Sequence, residues 1–505
     1  MSGRRGDDLL LLTLGRDGLR YLTGLAGEAF AELFEACLCH PEVVYLPAPD
    51  PFTVLSVADG LGRATGGPVV VNLRHAPAPG LNSQLPLAPW LPAVVLTDRT
   101  GPVLAVKARL EPAGPADLVE AVRVAARTVI LPPTGPVQVA FGAEILAAEG
   151  PAEIPYLRRQ YLPRTQPPDP EAVREAADLL LAAERPVLVA GPELVRYGAV
   201  DEAAALAERL ALPVFLDPAA GPWPGFPTAH PACFGHPFPD DPAWSETDLV
   251  VVVGRLRPAQ PTDPLLGLMP AGARILAVSP WGPEWVTAHG RGLELVADPK
   301  SGLRALREQV ERWLTSVEAR SAAERRRALT PPTAGPTDPV VEALLDYLGA
   351  DGVLLVDDPA VGPDRIGRSD PATLWPAPPD CRGWGVGAAV GAWLGLPTRR
   401  QVVLSDDAGL VGGLGGLWTA ARFRLPVRVV VRNRRAYAGV GAALRRRGVK
   451  GLAEAELASL DEPVPNLKGL AEAFGAGYIR TAAAELRSAL EEALGLDGPV
   501  VVEVA

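Results

Sequence analysis

Short apolar runs alternate with stretches of helical periodicity along almost the whole chain. In the first third, runs rich in valine and leucine occupy residues 42–46, 68–73, 93–97 and 136–141, and each has the length of a buried strand. Strands that alternate with helices are typical of a parallel sheet with helices on both faces. The pattern therefore predicts one α/β layer in this part of the chain.

The same alternation returns twice further along the chain. In the middle third, helical periodicity occupies 170–184 and 200–210, and strand-like runs occupy 186–190, 213–216, 248–253 and 274–278. The last third has strand-like runs at 353–357, 401–404, 427–432 and 500–504. We expect each group to form a doubly wound parallel sheet.

Two segments without a strong period separate the three groups. Residues 151–170 are rich in proline, and residues 320–339 are first charged and then rich in proline and threonine. Such segments are typical of linkers. We therefore expect an α/β protein of three doubly wound domains at 1–155, 170–325 and 338–505.

Length and composition agree with a large globular protein. The chain has 505 residues, of which 48% are hydrophobic and 21% charged, and at roughly 150 residues per domain it is long enough for about three domains. No apolar run approaches the roughly 18 residues of a membrane-spanning helix. The first residues, two arginines followed by two aspartates, do not read as a secretory signal. We expect a cytoplasmic protein without a membrane partner.

Charge and cysteine content exclude further classes. The formal net charge is −11 at pH 7, which repels polyanions, and no basic stripe with interleaved aromatic residues is present. Nucleic acid is therefore not an expected partner. The four cysteines are too few and too scattered along the chain for a disulfide framework.

Polar side chains follow two strands of the predicted third domain. Asp406 and Asp407 come shortly after the run at 401–404, and Asn433 and Arg434 come directly after the run at 427–432. Ligands of open parallel sheets bind beyond the carboxyl ends of the strands. This edge is therefore the best candidate for a binding or catalytic site.

Short motifs occur in order over the three predicted domains: Ala58-Asp59-Gly60, Phe226-Pro227-Thr228, Leu417-Trp418-Thr419 and Gly498-Pro499-Val500. With this order and spacing the whole chain resembles the thiamine diphosphate (ThDP) enzymes of the decarboxylase and acetolactate synthase family, and most of all their benzoylformate decarboxylase branch. The resemblance implies domains of the pyrimidine-binding, central and diphosphate-binding types, with ThDP and Mg²⁺ as cofactors. It also implies a homodimer or homotetramer, because the family's pocket forms between domains of two subunits.

The resemblance locates the metal site, and there this sequence departs from the family. The aspartate of the family's Gly-Asp-Gly motif corresponds to Asp407, but both flanking glycines are replaced. The family's Asn-Asn pair becomes Asn433 and Arg434. A guanidinium has no acceptor atom and stays protonated, so Arg434 cannot be a metal ligand.

Two further family positions are altered. The activating glutamate corresponds to Pro51, with Asp50 beside it, and the bulky apolar residue under the bent cofactor corresponds to Arg382. A guanidinium beneath a cationic thiazolium is electrostatically unfavourable. The resemblance therefore implies a dismantled ThDP–metal site, whose cofactor-binding positions are Asp407, Asn433, Arg434, Arg382 and Gly383.

Two interpretations of the altered pocket stay open at this point. In the first, Asp407 pairs with Arg434 or Arg382 and the bridge fills the space of the metal and diphosphate. In the second, Arg382, Arg434 and Arg435 form a cationic cup that binds a carboxylate or phosphate directly. Ordinary ThDP binding, with Asp50 in place of the missing glutamate, is a third.

The first predicted domain adds two candidate catalytic residues. His75 lies one position past a catalytic histidine of the benzoylformate decarboxylase branch, whose own place Arg74 takes, and it is equally well a loop histidine. Glu28 lies in a loop that carries a substrate-contacting residue in the family, and it also suits the first turn of a helix. No Gly-x-Gly-x-x-Gly follows a strand in the middle domain, so neither a flavin nor a nucleotide is expected there.

Three functions follow from these readings. The leading one is a diverged family member that binds a small anion in an arginine-lined pocket. The second is a working ThDP-dependent lyase or carboligase acting on a 2-oxo acid. The third is a non-catalytic structural or regulatory subunit, paired with an intact paralogue.

Overall fold

The computed structural model of the chain describes all residues other than 1–2, 26–30, 75–87, 102, 156–164, 220, 257–262, 282–289, 315–337, 447, 450 and 452–457. The chain divides into two compact units. Unit 1 combines Met1–Gln160, Glu342–Ala360 and Ala377–Ala505, and unit 2 combines Tyr161–Val341 and Val361–Pro376. Unit 1 is therefore discontinuous in sequence.

The N-terminal part of unit 1 is a parallel sheet flanked by helices. Its strands are β1 (Arg4–Arg5), β2 (Tyr21–Leu25), β3 (Val44–Ala48), β4 (Val69–Asn72), β5 (Ala93–Thr97), β6 (Ala108–Leu110), β7 (Val137–Ala140) and β8 (Glu149–Gly150). Six of them lie in the order β3-β2-β4-β5-β7-β6 with every neighbouring pair parallel, and β1 pairs antiparallel with β8. The helices are α1 (Gly6–Arg16), α2 (Ala31–Cys39), α3 (Pro51–Thr65), α4 (Pro115–Thr128) and α5 (Ala143–Ala147).

Unit 2 contains a second parallel sheet. Its strands β9 (Pro186–Ala190), β10 (Val214–Leu216), β11 (Leu249–Val253), β12 (Arg274–Ser279) and β13 (Gly292–Val296) lie in the order β10-β9-β11-β12-β13. The helices of unit 2 are α6 (Pro170–Leu181), α7 (Glu193–Arg196), α8 (Val200–Leu210), α9 (Pro242–Ser245), α10 (Pro264–Leu268) and α11 (Pro299–Trp313). The helices α6, α8 and α11 bury apolar stripes that belong to the same core cluster as β9 and β11.

The C-terminal part of unit 1 is a third parallel layer. It contains β14 (Val353–Val356), β16 (Gln401–Asp406), β17 (Arg428–Arg432), β18 (Gly477–Thr481) and β19 (Val500–Val504), in the order β14-β16-β17-β19-β18, while β15 (Leu374–Pro376) belongs to unit 2. The helices are α12 (Pro339–Leu348), α13 (Trp384–Gly395), α14 (Asp407–Gly412), α15 (Leu414–Arg422), α16 (Ala438–Arg446), α17 (Leu467–Ala473) and α18 (Leu486–Leu494).

Small residues allow α3 to lie directly against α13 within unit 1. A Cβ atom built on Gly60 of α3 would come within 1.9 Å of the carbonyl oxygen of Ala388. One built on Gly391 of α13 would come within 2.0 Å of the carbonyl oxygen of Val57. The two helices therefore touch backbone to backbone, and this contact joins the two parts of unit 1.

A buried ion pair reinforces the same contact. Arg63 on α3 donates to Asp59 Oδ2 from Nε at 3.0 Å and from Nη2 at 2.7 Å. The indole Nε1 of Trp384 donates to the same oxygen at 2.9 Å, and the Arg63 guanidinium lies over the Trp384 ring at 4.4 Å. A buried guanidinium is costly without such partners, so these bonds also fix the register of α3 on α13.

The doubly wound α/β class predicted from the pattern is confirmed, and the predicted strands are all present. The pattern missed the edge strands β6, β13 and β18, which are largely half-exposed, and the short strands β1, β8 and β15. It also missed the interior strand β2, whose apolar run is broken by Thr23 and Gly24. The proposed domain boundaries stay predictions, and much of both linker segments lies outside the described residues. None of the helices in the described part of the chain has the length and apolar character needed to cross a bilayer.

Glu193, at the start of α7, is a deeply buried carboxyl group. The residue is 1% exposed, and neither carboxylate oxygen has a hydrogen-bond partner. Burial raises its pKa from 4.5 to about 8, and the nearby charge of Arg196 only partly opposes this shift. The fold therefore favours the protonated form, so the contribution of Glu193 to stability falls as the pH rises from 4.5 to about 8.

Replacing this carboxyl group with an amide, in Glu193→Gln, is expected to stabilise the protein. The amide has the same size and cannot ionise, so the gain should be about 2 kcal/mol at pH near 8.5 and much smaller near pH 5. Calorimetric unfolding of the full chain at the two pH values measures it. The exposed Glu175 on α6 supplies the control, since Glu175→Gln should change little at either pH. Equal gains for Glu193→Gln at both pH values would contradict the assignment.

Candidate functional site

Four aspartates gather at the carboxyl edge of the C-terminal sheet. Asp357 and Asp358 follow β14, Asp406 ends β16, and Asp407 begins α14. All four are buried, with 4%, 2%, 0% and 1% of their surface exposed. Ionised carboxylates are costly to bury without partners. The groups that pair with these four aspartates therefore determine what this edge can bind.

Asp406 is paired with Arg382. Nη1 of Arg382 donates to Asp406 Oδ2 at 2.7 Å, and the backbone N–H of Gly409 donates to Asp406 Oδ1 at 2.8 Å. Burial raises the pKa of Asp406, while the Gly409 N–H and the Arg382 charge lower it. The guanidinium keeps 27% of its side chain exposed and lies 5.8 Å from the ring centre of Tyr437. Arg382 therefore has an inner face on a carboxylate and an outer face toward solvent.

Asp358 is paired with Arg434 in the same manner. Nη1 and Nη2 of Arg434 donate to its two carboxylate oxygens, each at 2.8 Å, which is the forked geometry of a bidentate pair. Arg432 Nη1 lies 3.7 Å from Asp358 Oδ2. The Asp358 side chain is wholly buried, whereas that of Arg434 is 28% exposed.

Asp407, the predicted metal ligand, pairs with neither arginine. Its Oδ1 accepts the N–H of Ala408 at 3.0 Å, and its Oδ2 is buried without a hydrogen-bond partner. Burial raises its pKa, and backbone N–H groups, those of Ala408, Arg435 and Ala436 among them, act in the opposite direction. The expectation that Asp407 pairs with Arg434 or Arg382 is wrong, because those guanidiniums lie on Asp358 and Asp406.

Asp357 is a buried carboxyl group of this cluster that favours the protonated form. Its Oδ2 accepts the N–H of Gly383 at 3.1 Å and the hydroxyl of Ser405 at 3.2 Å. Burial and the neighbouring Asp406 raise its pKa to about 8. Asp357 therefore occupies the N–H groups at the start of α13, where Gly383 adopts a left-handed φ of 90°.

The described residues do not fit a divalent metal with a diphosphate. Asn433 donates its amide N–H to Glu503 Oε1 at 2.9 Å, and Arg434 offers only hydrogen-bond donors. Of these three side chains, Asp407 alone has a buried oxygen without a hydrogen-bond partner, its Oδ2. Among the described residues, no group of three or more His, Cys, Asp or Glu side chains is arranged to hold a metal ion. Arg382 and Arg434 lie on carboxylates, and Asp357 and Asp406 accept the N–H groups of Gly383 and Gly409.

Other predicted site residues lie outside this cluster. Arg435 is exposed and lies 4.0 Å from the carboxylate of Asp461, so it does not complete a three-arginine cup. Asp50 caps α3, where it accepts the Thr53 N–H at 2.8 Å and the Thr53 hydroxyl at 2.7 Å. Glu28 and His75 lie outside the described residues.

Sequence reasoning missed Asp357 and Asp358. The signal for them was present, because two acidic residues follow a predicted strand here in the same way as Asp406 and Asp407 follow theirs. Two adjacent parallel strands that both end in Asp-Asp place four carboxylates at one edge of the sheet.

The carboxyl edge of the unit 2 sheet is closed by its own residues. A Cβ atom on Gly191, after β9, would lie 2.3 Å from the carbonyl oxygen of Gly254, after β11. Beside them Arg255, 5% exposed, donates to Asp217 at 2.6 and 2.9 Å and to Asp263 at 2.8 Å. Backbone contact and this ion triple fill the crevice between the two strands.

Known proteins match the chain along most of its length. Residues 173–306 match the central domain of thiamine pyrophosphate enzymes, and residues 372–504 match their C-terminal TPP-binding domain. Benzoylformate decarboxylase of Pseudomonas aeruginosa is 29% identical over 491 residues, covering 89% of each chain. The crystal structure of benzoylformate decarboxylase from Polynucleobacter necessarius has a TM-score of 0.81 at 23% identity, covering 99% of this chain and 98% of that one. The 4-hydroxybenzoylformate decarboxylase of Rhodococcus jostii has a TM-score of 0.79 at 24% identity, with 99% of each chain covered.

Proposed function

The chain belongs to the thiamine pyrophosphate enzyme family, and we propose that it is a diverged, benzoylformate decarboxylase-like member that no longer uses ThDP with a metal. Its pocket instead binds a small carboxylate or phosphate at the guanidiniums of Arg382 and Arg434. The observation that carries this proposal is the pairing of the two arginines with buried carboxylates, at the residues that the family resemblance assigns to the metal and diphosphate.

In this proposal the two ion pairs exclude the metal with its diphosphate and orient the guanidiniums to bind another anion. Asp406 and Asp358 hold the inner faces of the two guanidiniums, so their orientation is fixed before any ligand arrives. The outer edges remain partly exposed, and a guanidinium binds a carboxylate or phosphate through forked N–H donors without a metal. The side chains that a divalent cation would need are committed elsewhere, as Asn433 is to Glu503.

Thermal unfolding of the full chain tests the proposal with inorganic pyrophosphate and ThDP as probes. We expect pyrophosphate to raise the unfolding midpoint, with no further gain from Mg²⁺, and ThDP to bind no more tightly than pyrophosphate. Arg382→Met should weaken pyrophosphate binding at least about tenfold, since one charge-assisted contact is lost. Arg487→Met, which removes an exposed arginine of α18, should have no effect.

Two other outcomes would support the rival functions. Tight ThDP binding that requires Mg²⁺ would identify a working 2-oxo-acid lyase or carboligase and would overturn the proposal. If no anion stabilises the protein, the chain is better explained as a non-catalytic subunit. In that case an intact paralogue should co-purify with it.

Members of the family are usually oligomeric, and we infer a homodimer or homotetramer for this chain. The mass in solution, measured by light scattering, tests this inference. A monomer at micromolar concentration would contradict it.

A further inference from the structure

Asp407 is a buried carboxylate of the candidate site that no described side chain pairs with. The residue is 1% exposed, its Oδ1 accepts the N–H of Ala408 at 3.0 Å, and its Oδ2 has no hydrogen-bond partner. Its neighbours Asp406 and Asp358, by contrast, each accept from a guanidinium, at 2.7 and 2.8 Å. A buried oxygen without a donor is costly, so Asp407 Oδ2 marks a place for a donor that the described residues do not supply.

The register of the C-terminal sheet sets Asp407 beside the chain that follows β17. Asp406 and Arg432 are partners in the parallel pair of β16 and β17, so Asp407 leaves the sheet next to the segment 434–439. Burial raises the pKa of Asp407, and backbone N–H groups of this segment act in the opposite direction. The carboxyl group therefore lies against segment 434–439.

The two ion pairs of the site reach the same segment. A Cβ atom built on Gly439 would lie 3.0 Å from Nη2 of Arg382 and 3.5 Å from Cβ of Pro359. Pro359 directly follows Asp358, the carboxylate on which the Arg434 guanidinium lies. Segment 434–439 therefore borders both ion pairs as well as Asp407, and the three groups line one small region.

Charge in this region is balanced before a ligand arrives. The described side chains contribute three guanidiniums and three carboxylates, those of Arg382, Arg432, Arg434, Asp358, Asp406 and Asp407. Asp357 adds little charge at pH 7, because burial and the neighbouring Asp406 raise its pKa to about 8. An anion alone would leave the region with a net negative charge, which is unfavourable where water is partly excluded. A ligand with a positive group of its own offsets this excess.

We propose that the ligand of this site is a zwitterion, a small carboxylate or phosphate that also carries an ammonium group, and that Asp407 binds the ammonium. This inference rests on the proposed anion binding at Arg382 and Arg434 and names the class of ligand. The acidic end accepts from the outer edges of the two guanidiniums. The ammonium has three N–H donors, and one of them supplies the bond that Asp407 Oδ2 lacks.

Two pairs of probes that differ only in the ammonium group test the proposal: O-phosphoethanolamine with ethyl phosphate, and β-alanine with propanoate. Calorimetric titration of the full chain, in buffer with a chelator, measures their affinities. We expect the zwitterion to bind at least about tenfold more tightly than the plain anion of its pair. A preference in one pair alone identifies the acidic group as a phosphate or as a carboxylate and supports the proposal.

Asp407→Asn should reduce this preference to about one. The same change should bind ethyl phosphate no more weakly than the unaltered protein, because a negative charge leaves the region. Asp461→Asn, which removes an exposed carboxylate, is the control and should keep the preference. If Asp407→Asn does not fold, the trimethylated form of β-alanine replaces it as a test, since it keeps the positive charge without N–H donors and should bind about tenfold more weakly than β-alanine.

Equal affinities within both pairs would overturn the proposal, and so would a preference that survives Asp407→Asn or full trimethylation. If pyrophosphate and ethyl phosphate bind but the ammonium adds nothing, anion binding at the two arginines stands and the zwitterion alone is wrong. If none of the anions binds, the proposed function fails and this inference fails with it.

Discussion

Arg434→Met is expected to destabilise unit 1 by about 3 kcal/mol. The substitution removes both hydrogen bonds that Asp358 accepts from this guanidinium. The carboxylate, wholly buried, would be left with Arg432 Nη1 at 3.7 Å. A buried charge that loses its partner costs far more than the bridge itself contributes. Urea denaturation of the full chain, followed by circular dichroism, measures the loss.

A matched control lies one residue along the chain. Arg435→Met removes an exposed guanidinium that lies 4.0 Å from the equally exposed carboxylate of Asp461, so stability should change by less than about 0.5 kcal/mol. Adding Asp358→Asn to Arg434→Met should recover part of the loss, because the unpaired charge is then gone. A loss below about 1 kcal/mol for Arg434→Met would show that the bridge does not hold the pocket.

Gly391→Ala is expected to cost unit 1 about 3 kcal/mol, although alanine is the better helix former by about 1 kcal/mol. The new methyl group would lie 2.0 Å from the carbonyl oxygen of Val57 and 2.4 Å from the backbone nitrogen of Leu61. Both atoms belong to the backbone of α3 and cannot turn aside. The helices must separate, and the Arg63 to Asp59 bridge with its Trp384 contact would be strained with them.

The same substitution in open space is the control for this prediction. Gly267 lies in α10 of unit 2, and a Cβ atom there would meet nothing within 4 Å. Gly267→Ala should therefore not destabilise the protein, and it should raise the unfolding free energy by up to about 1 kcal/mol through the higher helix propensity of alanine. If Gly391→Ala were tolerated equally well, the helices would not be held in backbone contact.

The fold was largely readable from the sequence because buried parallel strands are continuous apolar runs. A segment such as Leu249–Val253 needs no partner information to be recognised, and the runs at 186–190 and 500–504 are found as strands without change. Edge strands such as β18 are half exposed and mix polar with apolar residues. Their pattern is therefore close to that of a loop, and only pairing with a neighbour identifies them.

The arginine–aspartate pairs of the candidate site could not be predicted from the sequence in the same way. The sequence placed Asp407, Arg382 and Arg434 at one edge, and the one interpretation that paired Asp407 with an arginine is wrong, because these arginines lie on Asp406 and Asp358. Asp406 and Asp407 are adjacent, yet one ends a strand and the other begins a helix, so they face different partners. Asp358 follows β14 and Arg434 follows β17, with β16 between these two strands, so their distance depends on sheet order, which local pattern does not contain.

Unit 1 is built from separate stretches of the chain, so parts that pack together are synthesised at different times. The glycine face of α3 leaves the ribosome early, while its partner α13 is made only after the whole of unit 2. At translation rates of about 5–20 residues per second, the interval is on the order of tens of seconds. During that time the nascent chain carries an uncovered helix face and the buried charges of Asp59 and Arg63 without their tryptophan. We expect chaperones to engage this chain at its N-terminal sheet until the last third emerges.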